Sequence, residues 1–369
     1  MNKSKTIKIL LIATLILTLN ACGKKTEEGR EIIKEPGSTI TIIEDDGKEP
    51  AEPVVSVEKI EQVENGEISD WLDDETAVVS KENDTLDKMS LLELSEHYPR
   101  SLYLYNINTK EYELLKERED VFLGEAALSA DKKYLLYSEY TLGDPIYYVM
   151  DLETREALGI LGDNVGGALS ARWSGNEVFG AAYYNGAYTA TVTGEISVIE
   201  DLNEEGLFIV RKIQDNIYYN TNYDETLFRF NTVTKEKTNL NLERVYDVIP
   251  APDGNKMLVL QRNETKNTLI LCDTDGGNQK IIAEGTELGG VSWSPDQRMV
   301  AYHRKGTDNN TTVNGLYIYD MLTAESSQIA VNIQNATTSW SPSSEKLAYA
   351  EWNGEQYNSS IVYLKYSLQ

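Results

Sequence analysis

The stretch SWSPDQRMVAY at residues 292–302 decides the fold, because it returns as SWSPSSEKLAY at residues 339–349. Five weaker copies of the block come earlier in the chain, and their anchor residues are Trp71, Leu128, Trp173, Ile213 and Ala251. With Trp293 and Trp340, the anchors are spaced 57, 45, 40, 38, 42 and 47 residues apart. The chain is therefore built from one small unit that is used about seven times.

Each unit repeats the same order of short apolar runs. An anchor is followed by a run such as RMVAYHR, and a variable loop then leads to a second run such as GLYIYDMLT and to a weaker third run. Val, Ile, Leu and Tyr favour strands, and the Pro, Asp and Gly residues between the runs favour tight turns. A single four-stranded sheet leaves apolar faces uncovered, whereas sheets stacked around an axis cover one another. We therefore predict an all-β fold, a single β-propeller of about seven four-stranded blades, with six or eight blades as alternatives.

The last unit lacks an outer strand, since it ends in SIVYLKYSLQ. Residues 54–63, VVSVEKIEQV, precede the first anchor and belong to no unit of their own. We predict that this N-terminal strand joins the last blade and closes the propeller, because an unpaired sheet edge would otherwise remain.

Two stretches carry a resemblance to a known family. WSPDQRMVAY at 293–302 and LILCDTDGGNQKII at 269–282 resemble the TolB-type propeller repeat, in which a WSPDG-like turn, an apolar strand and a DxDGG-like turn follow one another. The resemblance extends from these units over residues 66–369. It implies the propeller fold and the binding of protein partners or small ligands on one face. It implies no catalytic residues.

The first 21 residues are predicted to be a lipoprotein-type signal peptide. Three lysines precede the apolar run Ile9–Leu19, which is too short to span a membrane and suits a signal-peptide core. The sequence Leu19-Asn20-Ala21-Cys22 resembles the bacterial lipobox, which implies lipid attachment, palmitate included, at Cys22. An ordinary secretory signal is the alternative. We therefore expect a protein that is lipid-anchored to the cell membrane on its extracytoplasmic face.

Residues 22–53 are predicted to form the lipidated cysteine and an acidic, flexible tether, since they are rich in charge and proline and poor in large apolar residues. Residues 38–43 are the one strand-like segment inside it. Residues 54–369 are predicted to be the propeller.

The composition and motifs of the chain argue against several classes of function. A formal net charge of −26 argues against nucleic acid as a partner. The two histidines, His97 and His303, lie far apart in the repeat order, so no metal site and no cofactor are predicted. No GxSxG or phosphate-binding glycine motif occurs. We therefore expect a non-catalytic module that binds a protein at the cell envelope. The alternatives are a recogniser of wall glycan or peptide, and a glycan hydrolase or lyase that uses carboxylates.

The variable loops between the first and second runs, which join the second and third strands of each unit, should emerge on one face of a propeller. They are long and carry residue types that dominate binding hot spots. The candidate binding residues are Tyr140, Tyr183, Tyr184, Tyr223, Arg262, Arg304, Trp352 and Tyr357. A further insertion at residues 84–97 places Leu86, Met89 and Leu92 at helical spacing, which predicts a helix that packs on a blade edge or covers the central channel.

Overall fold

The structure is a computed structural model, which describes residues 25–26, 30–35, 38–43, 55–163, 166–184, 186–308, 311–333 and 335–366. The chain divides into two compact units, residues 1–52 and residues 53–369. The first unit holds an antiparallel sheet of Lys25–Thr26, Arg30–Glu35 and Ser38–Ile43, in that order. The expected signal peptide and Cys22 lie outside the described residues.

The second unit consists of four-stranded antiparallel sheets, numbered here in chain order. The strands of sheet 1 are Gly66–Trp71, Thr76–Glu82, Arg100–Asn106 and Tyr112–Lys116. Those of sheet 2 are Phe122–Leu128, Tyr134–Tyr140, Ile146–Asp151 and Ala157–Gly159. Those of sheet 3 are Arg172–Ser174, Glu177–Ala181, Ala187–Thr191 and Ile196–Ile199. Sheets 1 and 2 are joined by a single parallel bridge between Arg100 and Phe122.

The remaining sheets repeat this arrangement. Sheet 4 contains Leu207–Ile213, Asn216–Thr221, Phe228–Asn231 and Lys237–Asn239. Sheet 5 contains Val245–Pro250, Lys256–Arg262, Asn267–Asp273 and Lys280–Gly285. Sheet 6 contains Glu287–Trp293, Met299–Asp308, Thr311–Asp320 and Ser326–Val331. Sheet 7 contains Thr337–Trp340, Lys346–Trp352, Tyr357–Tyr366 and Val55–Val63.

Sheet 7 is the one described sheet whose strands come from distant parts of the sequence. Val55–Val63 runs antiparallel to Tyr357–Tyr366, with Val63 opposite Ser359 and Val55 opposite Tyr366. Val55 and Val63 are buried at the two ends of this strand, while the residues between them are mostly exposed. Val55–Val63 therefore forms the fourth strand of sheet 7.

Tryptophans at the ends of the first strands join neighbouring sheets through their indole N–H groups. Each donates a hydrogen bond to the carbonyl that precedes the equivalent residue of the previous sheet. The bonds are Trp173 Nε1 to Ala127 O at 2.8 Å, Trp293 to Ile249 O at 3.2 Å and Trp340 to Ser292 O at 3.4 Å. Trp71 of sheet 1 donates in the same way to Ser339 O of sheet 7, at 3.2 Å. The same bond therefore links sheets 2 and 3, sheets 5 and 6 and sheets 6 and 7, and it also links sheet 7 to sheet 1.

A second repeated bond connects the turns that follow these strands. The backbone N–H of Asp131 donates to Asn176 Oδ1 of the next sheet, and that of Asp296 donates to Ser344 Oγ. From sheet 7, the N–H of Ser343 donates to Asp74 Oδ1 of sheet 1 at 2.9 Å.

The core is divided among the spaces between sheets. The described part of the second unit has seven buried apolar clusters, and six of them lie between consecutive sheets. The seventh lies between sheets 7 and 1, where Trp71 and Val79 pack with Ala348 and Ile361. Burial of each large apolar side chain in these clusters contributes about 1.5–3 kcal/mol, so contacts between sheets contribute strongly to stability.

The helix predicted at residues 84–97 is wrong. The described residues contain no α-helix, and this insertion forms a loop with one 3-10 turn, Leu92–Leu94. Asn83 fixes the start of the loop, because its buried side chain bonds to Ser101 and Glu117 and accepts the N–H of Thr85. Met89 is buried, whereas Leu92 is 84% exposed. No described helix is long and apolar enough to cross a membrane.

Candidate binding cavity

A cavity of about 330 Å³ opens where sheets 1, 2 and 7 meet. Its lining residues stand at strand ends and in the 84–97 loop: Glu82, Leu94, His97, Arg100, Phe122, Tyr140, Trp352 and Tyr357. Glu82, Tyr140 and Trp352 end the second strands of their sheets, and Arg100 and Tyr357 begin third strands. The cavity therefore lies at the ends from which the second-to-third-strand loops emerge, and we call this side the loop-rich face.

Four aromatic rings form most of the cavity wall. The centroids of Trp352 and Tyr357 are 5.0 Å apart with their planes tilted by 59°, and those of Phe122 and Tyr140 are 5.7 Å apart at 51°. Trp352 is 43% exposed, and the other three rings are half-buried. Such rings offer a large apolar contact area with little conformational freedom to lose on binding.

Arg100 forms the polar floor of the cavity and is almost completely buried. Its Nε donates to Ser80 Oγ at 3.0 Å, and its Nη2 donates to Ser80 O at 2.9 Å and to Glu67 Oε2 at 3.1 Å. The guanidinium carbon lies 4.7 Å from the ring centroid of Tyr357. The cavity thus already holds one cation against an aromatic ring, with a carboxylate beside it.

Burial changes the pKa values of acidic groups in and beside the cavity. It raises the pKa of Tyr140 to about 12 and also raises the pKa of Tyr357, whose second cause is the charge of Glu67. Burial raises the pKa of Glu67 too, against the opposing effect of Arg100. The two phenols therefore stay protonated at neutral pH and are able to donate hydrogen bonds into the cavity.

The 84–97 loop supplies one wall through Leu94 and His97. The His97 Nδ1 atom lies 2.9 Å from Glu82 Oε1, and the His97 ring meets Phe122 edge-on with centroids 6.3 Å apart. The loop is held closed by the N–H of Met89, which donates to the His97 carbonyl at 3.0 Å. The insertion is therefore part of the cavity wall.

A polar groove of about 700 Å³ adjoins the cavity and shares Trp352 with it. Its other lining residues are Gln62, Glu64, Asn332, Glu351, Asn353, Gln356 and Asn358. Side-chain amides both donate and accept hydrogen bonds, as main-chain peptide groups do. The groove therefore suits an extended polar ligand that continues from the cavity.

A second set of charged residues lies on the first strands of sheets 2, 3, 4 and 5: Glu125, Arg172, Arg211 and Asp247. Glu125 accepts a hydrogen bond from Tyr147 Oη at 2.8 Å and lies 3.8 Å from Arg172 Nη1, while Arg211 Nη2 lies 3.0 Å from Asp247 Oδ1. Glu125 has a φ of +47°, a left-handed conformation that is strained for a residue with a side chain. Burial lowers the pKa of Arg211, although Asp247 opposes this effect.

The structure brings together three of the eight candidate binding residues, Tyr140, Trp352 and Tyr357. Tyr183 and Tyr184 pack on each other at 5.8 Å and are more than half exposed, and Tyr223 is 75% exposed. None of these three lines the cavity.

Both arginine candidates are engaged elsewhere. Arg262 lies 3.7 Å from Glu225 and 5.1 Å from the ring of Tyr246. Arg304 forms two bonds to the carboxylate of Asp308 and one to the carbonyl of Glu284.

Sequence reasoning missed five lining residues: Glu82, Leu94, His97, Arg100 and Phe122. Arg100 begins a strand of sheet 1 and Phe122 begins a strand of sheet 2. The single parallel bridge that joins these two sheets lies between the two residues. The missed signal is positional, because residues at the starts of third strands lie at the same end of the sheets as those at the ends of second strands. Within the described residues, no group of three or more His, Cys, Asp and Glu side chains is arranged to hold a metal ion.

No protein family matches this chain, and no curated protein sequence matches it. Several solved structures, however, superpose on it. An oligogalacturonate lyase from Vibrio parahaemolyticus superposes with a TM-score of 0.57 at 12% identity, over 84% of this chain and 97% of that one. The β-propeller domain of Cps50 (Swd1) from Myceliophteria thermophila gives 0.55 at 12% identity, over 84% and 99%. TolB from Acinetobacter baumannii gives 0.48 at 12% identity, over 78% and 63%.

At these identities the likeness shows the fold alone. The chain is a β-propeller, so the propeller fold predicted from the repeats is confirmed. Because an oligogalacturonate lyase shares the fold, the fold by itself leaves catalysis and binding both open.

Proposed function

We propose that this chain is a non-catalytic protein-binding module, anchored by lipid to the outer side of the cell membrane, and that it binds its partner through the aromatic cavity. The cavity is the observation that carries the proposal. Aromatic residues and arginine, which form most of its wall and floor, dominate the energetics of protein recognition. A binding module requires no catalytic group, and among the described lining residues no Ser, Thr or Cys stands beside the Glu82–His97 pair as a nucleophile would.

The proposal includes a closed ring of seven blades. The indole bond from Trp71 to Ser339 and the turn bond from Ser343 to Asp74 repeat, between sheets 7 and 1, the bonds that join consecutive sheets. The apolar cluster between these two sheets has the same form as the other six. Closure would fix sheets 7, 1 and 2 relative to one another, which keeps the cavity preformed and lowers the entropy lost on binding.

Lipid anchoring is inferred from the Leu19-Asn20-Ala21-Cys22 sequence alone. Replacement of the cysteine thiol by a hydroxyl removes the attachment point, so the variant Cys22→Ser should appear in the soluble fraction after cell fractionation. Mass spectrometry of the wild-type N-terminus should show the acyl chains. Retention of Cys22→Ser in the membrane fraction would contradict the anchor.

Affinity capture from envelopes tests the binding function. The wild-type chain and the variants Trp352→Ala and Tyr223→Ala are each immobilised and exposed to the same envelope extract. We expect the same protein to be captured by wild type and by Tyr223→Ala, whose exposed tyrosine lies away from the cavity, and to be lost with Trp352→Ala. Capture of wall glycan without protein would favour the glycan-binding alternative, and equal capture by all three would exclude the cavity.

A further inference from the structure

We propose that the aromatic cavity takes up the cationic side chain of a lysine or arginine from a basic protein segment, whose main chain continues along the polar groove beside Trp352. This inference rests on the proposed protein-binding function and adds the chemical class of the partner.

The rings provide the first argument. A cation is attracted to the face of Trp, Tyr or Phe, and the attraction reaches about 2 kcal/mol when the site is shielded from water. Four such rings meet in the cavity: Phe122, Tyr140, Trp352 and Tyr357. The protein itself shows that a cation is stable there, because the Arg100 guanidinium lies 4.7 Å from the Tyr357 ring centroid.

Charge provides the second argument. Glu82 lines the cavity, where its Oε1 lies 2.9 Å from His97 Nδ1, and Glu64 lines the groove. Among the described residues that line either space, Arg100 is the one Lys or Arg, and Glu67 faces its guanidinium at 3.1 Å. The carboxylates that line the two spaces therefore outnumber the Lys and Arg side chains there, which favours a positively charged ligand and disfavours an anionic one.

Long-range electrostatics acts in the same direction. The formal net charge of −26 makes the molecule attract cations before contact, which raises the rate of association with a basic partner and makes that rate sensitive to salt. The net charge does not raise the rate of association with a neutral glycan.

The sizes of the two spaces suit a peptide. A volume of about 330 Å³ lies at the small end of ligand cavities, which matches one long side chain better than a folded surface. The groove, of about 700 Å³, presents side-chain amides from Gln62, Asn332, Asn353, Gln356 and Asn358, which match the donors and acceptors of an extended main chain.

The test uses the full chain purified in detergent and three fluorescent probes. The first is a twelve-residue peptide of alternating lysine and serine, the second is the same peptide with every lysine acetylated, and the third is a soluble peptidoglycan fragment. Acetylation keeps the length of the side chain and removes its charge. We expect the lysine peptide to bind, the acetylated peptide to bind at least tenfold more weakly, and the affinity for the lysine peptide to fall as salt is raised.

Variants connect the binding to the cavity. Trp352→Ala should weaken lysine-peptide binding about tenfold, and the double change Glu82→Gln with Glu64→Gln should weaken it about threefold to tenfold. Glu195→Gln combined with Glu236→Gln removes two exposed carboxylates in turns of sheets 3 and 4, so it alters the net charge equally. This control pair should change the affinity less than twofold.

The possible outcomes distinguish a failure of the proposed cation site from a failure of the proposed protein-binding function. If the acetylated peptide binds as well as the lysine peptide, or if the two pairs of glutamate changes weaken binding equally, the cation site is wrong. If in that case Trp352→Ala still abolishes capture of the envelope protein, the protein-binding function stands with a different ligand chemistry. If the peptidoglycan fragment alone binds and Trp352→Ala abolishes that binding, both proposals fail.

Discussion

The tryptophans at the first-strand ends each combine two roles, since they fill the space between sheets and donate a hydrogen bond across it. Trp71 is fully buried, and Trp293 and Trp340 are nearly so. A large apolar residue before a repeated turn is typical of a core position, so their burial can be predicted from the sequence. The hydrogen bond could not be predicted, since its acceptor is a backbone carbonyl of another unit.

Trp71→Phe should destabilise the protein by about 1–3 kcal/mol, because it removes the indole donor and leaves a buried carbonyl and unfilled volume. Urea unfolding measures the change. Trp352→Phe serves as the control, since Trp352 is 43% exposed, and should change the free energy of unfolding by less than about 0.5 kcal/mol. Equal effects of the two substitutions would show that the Trp71 bond has no special weight.

Glu61, on the Val55–Val63 strand, makes a pH-dependent contribution to stability. Its carboxylate bonds to Lys110 of sheet 1 and to Lys59, and these ammonium groups lower its pKa from 4.5 to about 2. A lowered pKa in the folded state contributes stability above about pH 4.5, and this contribution is lost as the pH falls towards 2. Because the site is partly exposed to solvent, screening limits the effect to about 1 kcal/mol.

Glu61→Gln should therefore be less stable than wild type by up to about 1 kcal/mol at pH 7, and the difference should shrink as the pH falls from 4.5 to 2. Chemical unfolding at several pH values gives the comparison. Glu58→Gln, an exposed position on the same strand, should match wild type throughout. A Glu61→Gln difference that does not vary with pH would refute the assignment.

Among the elements, Val55–Val63 is the one whose role was clearest from the sequence. The last unit was one strand short and an unassigned β-rich run preceded the first unit, so the two defects explained each other. The helix expected at 84–97 failed because its apolar spacing was judged without the competing bonds of Asn83, and because short isolated helices are marginal without a surface on which to pack.

Removal of the Val55–Val63 strand should strongly destabilise the protein. A chain that begins at residue 65 loses the buried Val55 and Val63 and exposes the Tyr357–Tyr366 edge, which should cost at least about 3–6 kcal/mol from burial alone. A chain that begins at residue 53 keeps the whole second unit and is the matched control. Thermal unfolding followed by circular dichroism compares the two, and equal midpoints would show that the strand is dispensable.

Across the whole molecule, the register of the repeat was easier to predict in the regular units than in the irregular ones. Ser294 and Ser129 occupy equivalent turn positions, and each donates its hydroxyl to an aspartate two residues later and accepts the N–H five residues later. In the fifth unit this position is Ala251, which was taken as the anchor, so the register there was one residue too late. The cavity was harder still, because its residues come from three sheets and meet only after the sheets have stacked.

Cys272 reports on the integrity of the whole molecule. It is fully buried between sheets 4 and 5, and burial raises the pKa of its thiol to about 12. In the Cys22→Ser chain it is the only thiol. A thiol reagent should therefore react at neutral pH at a rate that rises with urea in parallel with global unfolding. Rapid labelling without denaturant would mean that sheets 4 and 5 separate locally.

The pairing of Val55–Val63 with Tyr357–Tyr366 also sets the order of events on the ribosome. Some 300 residues are translated between the two partners, which at about 5–20 residues per second takes roughly 15–60 seconds. During that time the early strand waits without its partner. Its exposed charged residues Glu58 and Lys59 discourage premature pairing with other nascent chains, so the same side chains that face solvent in the finished molecule protect its synthesis.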